Sequence, residues 1–262
     1  MLRWAVDITS WDAHPLELQF LLDLLPPAER ADCTSFRFEA DRKRAVVSRL
    51  LQRAAAATAL GLLFSEVEIR RTKGRKPFVA NPPPRRPHAP NFNFNVSHEG
   101  NFVVLASEPV CLCGVDVAAP RQLQTSCATP IKEHLNSFRN QLTSFEALSK
   151  ARGDGLEFQF DKAEFHFPAQ NEATVILHGK PQPRWRFFLQ SLAGGHWVSV
   201  ARAPPEAIID AFGEFRATFQ QPVLSDEEME RHLNIPNPPF VMKQVQDLLP
   251  EDVRFDYEAT WA

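Results

Sequence analysis

The stretch Asp41–Gly61, DRKRAVVSRLLQRAAAATALG, constrains the fold more than any other part of this chain. Val47, Leu50, Leu51, Ala54 and Ala55 recur at helical spacing, Asp41 is a good N-cap and Gly61 a good terminator. A long helix must bury its apolar stripe, and its neighbours in sequence are strand-like. RWAVDI (Arg3–Ile8) precedes it. EVEIRR (Glu66–Arg71), NFNFNVSH (Asn91–His98), FVVLAS (Phe102–Ser107) and LCGVDV (Leu112–Val117) follow it as short strands, interrupted by a proline-rich loop over Asn81–Pro90. The second half repeats the order. A helical region over Ile131–Ala151 leads into LEFQFDKAEFHF, ATVILH, RWRFFLQ and HWVSVA, then a predicted helix over Pro205–Phe219 with proline near its start. Helix then strands, twice, predicts an α+β fold of two similar halves. The predicted units are residues 1–120, residues 121–220 and an acidic, proline-interrupted tail over 221–262, expected to be partly ordered at best.

Composition narrows the function. With 44% hydrophobic residues in 262, a substantial core can form. The formal net charge of −3 excludes a global basic field for nucleic acid. Basic residues nevertheless gather early: Arg37, Arg42, Lys43, Arg44, Arg49 and Arg53, then Arg70, Arg71, Lys73, Arg75 and Lys76. That asymmetry points to an anionic small molecule rather than a polymer. Of the four cysteines, Cys111 and Cys113 flank one residue, neither a usual zinc spacing nor a redox pair. No apolar run approaches ~18 residues and the N-terminus lacks an apolar signal core. A cytoplasmic monomer without membrane or nucleic-acid partners is the expectation.

Four stretches carry candidate chemistry. RTKGRKP (Arg71–Pro77) sets Arg71, Thr72, Lys73, Arg75 and Lys76 around Gly74. It is either a solvated basic turn or a phosphate clamp in which glycine lets backbone N–H groups approach an anion. NVSHEG (Asn95–Gly100) ends an apolar strand with Ser97 and His98, as a satisfied turn or as donors to phosphate oxygens. CGVDV (Cys113–Val117) places Asp116 between valines, where a carboxylate is costly unless paired or metal-bound. TSFEALSKARGDG places Glu146 four residues before Lys150. Alone, such an i, i+4 pair is an ordinary helix-surface feature worth about 0.2–0.5 kcal/mol. Together, Asp116 and Glu146 can hold Mg²⁺ while the basic turn and His98 hold a pyrophosphate, a set suited to phosphoryl-type transfer. Neither a P-loop nor a Rossmann glycine fingerprint is present.

Taken in order, DRKRAVVSRLLQR, RTKGRKPFV, FNVSHEGNFVVLASEP, GVDV and E-x-x-x-K-A-x-G-x-G-L resemble the 4′-phosphopantetheinyl transferases. The resemblance is to the large, Sfp-like type, and within it to the eukaryotic L-aminoadipate-semialdehyde dehydrogenase-phosphopantetheinyl transferases. It runs from about Arg3 to about Ala203 and leaves out the tail. It implies a pseudo-twofold pair of halves with coenzyme A at their junction. It implies coenzyme A contacts from Arg71, Thr72, Lys73, Gly74, Arg75 and Lys76, and from Asn95, Val96, Ser97 and His98. Asp116 and Glu146 would bind Mg²⁺. Glu146 would assist deprotonation of a serine on an acyl or peptidyl carrier protein, and Lys150 would neutralise the pyrophosphate as 3′,5′-ADP leaves. Carriers of fatty-acid synthesis or of lysine biosynthesis both fit.

Three departures from the family pattern stand out. The position two residues after Asp116, a second acid in some members, is Ala118, which leaves two protein carboxylates for a metal. A basic residue that reaches coenzyme A in some members is here Asp32, with Arg30 a substitute nearby. The family's W-x-x-K before the glutamate is here Leu142, Thr143, Ser144 and Phe145. The segment before Glu146 also looks short by about 10–20 residues, roughly two turns of helix or more. The expectation is a fold that binds coenzyme A with Glu146 loosely held and turnover weak; the alternative is a homologue that binds coenzyme A or the carrier without turnover.

Overall fold

The computed structural model describes residues 1–9, 11–81, 87–120, 132–153, 160–169 and 171–261; the side chains of 132–139 and 160 lie outside the description. Cys127 and part of the predicted strand Leu156–Phe167 fall outside it. The chain is mixed α and β. Its first part runs β1 (Leu2–Asp7), α1 (Pro15–Asp23), α2 (Pro27–Thr34), α3 (Glu39–Leu60), β2 (Ile69–Arg71), β3 (Pro77–Val79), β4 (Asn93–Glu99) and β5 (Phe102–Glu108). Then come β6 (Leu112–Ala118), α4 (Lys132–Arg152), β7 (Ala163–Ala169), β8 (Glu172–Leu177), β9 (Lys180–Pro181), β10 (Arg186–Leu192) and β11 (His196–Ala203). The last part holds α5 (Asp226–Leu233), β12 (Val241–Met242) and α6 (Glu251–Trp261).

The strands form two main sheets among the described residues, ordered β12-β1-β5-β4 and β6-β11-β10-β8-β7, with β2 and β3 paired separately. Each main sheet carries one long helix. Val46, Val47, Leu50, Leu51 and Ala55 of α3 pack on Phe94, Val103 and Leu105 of the first sheet. Phe145, Ala147, Leu148 and Ala151 of α4 pack with Leu112, Phe187, Leu189 and Ala201 in the second core. Fully burying one such aliphatic or aromatic side chain is worth about 1.5–3 kcal/mol, so these faces fix both helices. Strand β6 pairs with β11 rather than with β5, so residues 112–118 belong by hydrogen bonding to the second sheet although the predicted first unit runs to 120.

The sheets meet along β4 and β6, and side chains rather than a backbone ladder join them. Asn91, Asn93, Asn95 and Ser97 share one face of the alternating strand. Phe94 is buried on the other face against α3, with Phe92 and Val96 partly buried beside it. Asn93 Oδ1 accepts from Cys113 N (2.8 Å) and Asn95 Oδ1 from Val115 N (3.0 Å). Asn93 Nδ2 donates to Cys111 O (2.7 Å), and Asn91 Nδ2 to Val110 O (3.1 Å). Three buried amides thus occupy backbone groups that an edge strand would otherwise leave unpaired.

Three expectations are corrected. The helix begins at Glu39, not at Asp41; Asp41 sits in its first turn and pairs with Arg44 at 2.6 Å, while Gly61 ends it in the left-handed region at φ 61°. The predicted helix over Pro205–Phe219 is instead two 3₁₀ turns, Pro205–Ala207 and Arg216–Thr218. Gly213 turns the chain at φ 71°, and Ile208, Phe215 and Phe219 enter the second core from separate turns, so tertiary packing overrides the local pattern. The tail is packed. Met229 and Leu233 cover Cys111, and Val245, Leu248, Leu249 and Tyr257 complete the first core. A buried ionic cluster ties the tail to both sheets. Glu108 pairs with Arg3 and with Arg202 Nε (3.0 Å), while Arg3 donates to Asn237 Oδ1 (2.9 Å) and Arg202 to Ile235 O (2.6 Å).

Helix α4 approaches β6 over Gly114. A Cβ there would lie 2.0 Å from Ala147 O, 2.5 Å from Ala151 N and 2.8 Å from Ala151 Cβ. Neither backbone atom can yield without lifting the helix. Gly114→Ala is therefore expected to lower the urea unfolding midpoint by the equivalent of about 1–3 kcal/mol with an unchanged m-value; an unchanged midpoint would show that the helix lies farther from the strand.

Candidate active site

The short backbone distance at Gly114 sets the site. Leu112, Gly114 and Asp116 alternate onto one face of β6 beneath α4, so Asp116 emerges just beyond the contact point. Its carboxylate is nearly buried, with 6% of the side chain exposed. Asp116 Oδ1 accepts from Ser97 Oγ (2.7 Å) at the end of the asparagine row and pairs with Lys150 Nζ. Lys150 also donates to Ser97 Oγ (2.8 Å). Three of the sequence-predicted residues, from β4, β6 and α4, thus form one closed hydrogen-bonded triangle.

Glu146 lies one turn back on α4. Partial burial, then the neighbouring charge of Asp116, pushes its carboxyl pKa up to about 7, against the opposing pull of Lys150. Two carboxylates within reach of each other, one of them driven toward protonation, form a hard-oxygen pair that a divalent cation would relieve. Among the described residues, no group of three or more His, Cys, Asp and Glu is arranged to hold a metal. His98 keeps a face open to solvent; the protein packed round it, then the charges of Lys150 and Arg44, hold its imidazole below the ordinary value.

The basic turn splits into two faces. Arg71, Lys73 and Arg75 are exposed, with Arg71 Nη1 bonded to Arg75 O (3.1 Å). Arg71 is pushed down to about 10 by the protein packed at its base and then by the like charges of Arg49 and Arg75, a crowding of guanidinium groups that an anion would relieve. The left-handed residue of the turn is Arg75, at φ 68°, not Gly74. Thr72 is buried, its hydroxyl accepting from Lys76 N (3.2 Å). Lys76 points the other way, into the protein, and its ammonium is bonded to the carbonyls of Cys113 (2.6 Å) and Lys150 (3.1 Å). Val96 packs into the first core and Asn95 is engaged on Val115, so of Asn95–His98 Ser97 enters the triangle, while His98 is exposed and feels the charges of Lys150 and Arg44. Asp32 is paired with Arg49 (3.2 Å), and Arg30 with Asp23 (2.8 Å).

The N-terminal model of the 4′-phosphopantetheinyl transferases matches residues 9–110. A phosphopantetheinyl transferase from Thraustochytrium is 32% identical over 226 residues, covering 76% of this chain and 77% of the relative. The L-aminoadipate-semialdehyde dehydrogenase-phosphopantetheinyl transferase of Xenopus laevis is 35% identical over 228 residues, covering 76% and 75%. The chain belongs to the phosphopantetheinyl transferase family. It is an enzyme of this type. The human protein named likewise is 26% identical over 286 aligned positions, more than the 262 residues of this chain, so this transferase lacks residues that the human relative has.

The expected loose seating of α4 is not what this transferase has. In the absence of the family's tryptophan, Phe145 is 6% exposed, and Ala147, Leu148 and Ala151 are fully buried. Ser144 and Ser199 hydroxyls meet at 3.3 Å. Small residues at 114, 147 and 151 let the helix sit close enough to do without a large aromatic.

Two neighbours of the triangle escaped the sequence reading. Glu99 is half-buried; burial raises its pKa, its bond to the Ala119 backbone lowers it, and Asp116 raises it further. Its signal was its place in the SHEG turn directly after His98. Arg44 donates to Gly100 O (2.7 Å) and faces His98 from α3; it lay unmarked within the basic run of that helix.

Glu146 gives a pH test of stability. Its folded pKa of about 7 lies above the ordinary 4.5, so the folded state binds its proton more tightly than the unfolded state. Stability tied to this group is present below about pH 4.5 and is lost as pH rises through about 7. Glu146→Gln removes that loss. In metal-free urea unfolding, its midpoint relative to wild type is expected to climb between pH 5 and 8; a constant difference would refute the raised pKa.

Proposed function

We propose that this enzyme transfers the 4′-phosphopantetheine group of coenzyme A to a serine hydroxyl of an acyl or peptidyl carrier domain. The observation that carries the reading is the convergence of Asp116, Ser97 and Lys150 on the β4–β6 seam, with Glu146 beside them. The exposed guanidinium groups of Arg71 and Arg75 supply an anion-binding edge.

In this reading coenzyme A lies at the junction of the two helix-backed sheets. Arg71, Lys73 and Arg75 hold its phosphates, with the backbone of Thr72 and Gly74, and Ser97 and His98 extend that contact. The hard-oxygen pair Asp116 and Glu146 would hold Mg²⁺, with Ala118 offering no third carboxylate. Bound there, Mg²⁺ would neutralise charge on the pyrophosphate. The carrier serine oxygen forms its bond to the β-phosphorus of coenzyme A as the bond to 3′,5′-ADP breaks. Glu146 accepts the hydroxyl proton. Lys150, already an ammonium donor beside Asp116, faces the charge that develops on the departing 3′,5′-ADP. The names of several relatives refer to aminoadipate-semialdehyde dehydrogenase, which supports its carrier domain as one acceptor; a fatty-acid-synthase carrier is the other candidate. A cytoplasmic setting fits this reading, and among the described residues no helix is long and apolar enough to cross a membrane.

Incubating an apo carrier protein with coenzyme A and Mg²⁺ should add phosphopantetheine to it, read by intact mass. Asp116→Asn keeps an acceptor for Ser97 while deleting the charge, and is expected to slow transfer by about 10²–10³-fold. A variant that transfers at the wild-type rate across a Mg²⁺ titration would remove Asp116 from the mechanism.

The anion edge is tested by binding. Coenzyme A affinity in isothermal titration should fall as salt rises, because exposed charges are screened, and dephospho-coenzyme A should bind more weakly. Equal affinity for the two ligands at every salt concentration would rule out a 3′-phosphate contact at this edge.

A further inference from the structure

Lys76 is 3% exposed, and burial pushes its ammonium pKa down to about 8. A buried ammonium is costly to keep. Among the described residues no carboxylate pairs with it; two carbonyl oxygens and the ring of Phe215, 5.9 Å away, lie round it. One carbonyl belongs to Cys113, the residue before Gly114 on β6. The other belongs to Lys150, in the last turn of α4.

The last carbonyls of a helix have no intrahelical partners. Three of the last four in α4 have found one, each from a different donor. Ser149 O accepts from Gly153 N (2.8 Å), Arg152 O from Ile209 N (2.7 Å), and Lys150 O from Lys76 Nζ (3.1 Å). Lys76 also places positive charge at the negative end of the helix dipole. Its alkyl chain passes 3.7–3.8 Å from where a Cβ on Gly153 would lie, so the terminating turn closes around it.

We propose that Lys76 is a positioning residue for transfer: it pins the backbone of Lys150 to β6 and so fixes the Lys150 ammonium against Asp116 and Ser97. It holds no phosphate. The proposal rests on the transferase reading above. A single ammonium bridges β6 and α4, two of the three elements that carry the triangle, one residue from the contact point at Gly114. Freed of it, the last turn of α4 keeps its anchors at Ser149 and Arg152, but the residue that carries the functional ammonium loses its own.

The test is Lys76→Met, which keeps the length of the chain and removes the donor. Coenzyme A affinity by titration is expected to stay within about twofold of wild type, while kcat for carrier modification falls about tenfold or more, since small misplacements of reacting groups carry such penalties. Amide exchange at Ala151–Gly153 is expected to accelerate by a similar factor, whatever the activity. A large loss of coenzyme A affinity would make Lys76 a phosphate ligand and overturn the proposal, as would an unchanged kcat. If Lys76→Met does not fold, Lys76→Leu, which is shorter and likewise lacks a donor, is read the same way. Failure of both to fold would make Lys76 a residue of the fold alone. Wild type that modifies no carrier while Lys76→Met accelerates exchange at the helix end would instead count against the transferase reading, leaving the pinning intact.

Discussion

The row of side-chain amides along β4 is the interaction on which the site depends. Two sheets can meet edge to edge only if their backbone groups are satisfied. A continuous ladder would have merged them into one sheet. Asn93 and Asn95 instead reach across to the amides of Cys113 and Val115. The added reach opens the seam by the length of a side chain while keeping its register. Ser97 is the next residue on that face, and register delivers its hydroxyl to Asp116. A one-residue slip of β4 would turn phenylalanines into the seam and the polar row into the core.

Close packing of α4 supplies the other half. Gly114 under Ala147 and Ala151 is a contact made of backbone and methyl groups, with little freedom to slide. Rigid seating matters more here than at an ordinary helix, because the helix presents Glu146 and Lys150 in opposite electrostatic roles one turn apart. Lys150 is ion-paired with Asp116, while the same aspartate discourages ionisation of Glu146. Positions four residues apart on one helix thus end with an acid poised near neutrality beside a paired base, although the same spacing on a solvated helix would leave the acid at its ordinary value.

Much of this was legible in the chain. The helix ending at Gly61, the strands around it and the second helix over Lys132–Arg152 followed from periodicity and turn residues. Asp116 announced itself because a carboxylate between valines needs a partner. What escaped had physical causes. Lys76 and Arg75 are neighbours of the same chemical kind in one basic run, and only the turn geometry sends one outward and the other into the core. Phe212, Phe215 and Phe219 are spaced like one helix face, yet Gly213 and the second core pull the segment into separate turns, and Phe212 is left 72% exposed. The tail's composition was that of a loosely ordered segment. Its few apolar residues instead complete cores begun elsewhere, a non-local effect that no window of sequence contains.

That tail bears on how the molecule is made. β12 runs parallel to β1 as its outer neighbour, and Tyr257 shares the buried Glu17 with Trp11 near the chain's beginning. Synthesis from the N-terminus yields about 5–20 residues per second, so the first strand and first helix emerge well before residues 241–257 exist to cover them. The first sheet cannot be completed in the order in which it is made. Until the last elements arrive, β1 presents an open edge and Glu17 is held by Trp11 and His14 alone, the kind of surface that nascent chains expose to chaperones or to one another.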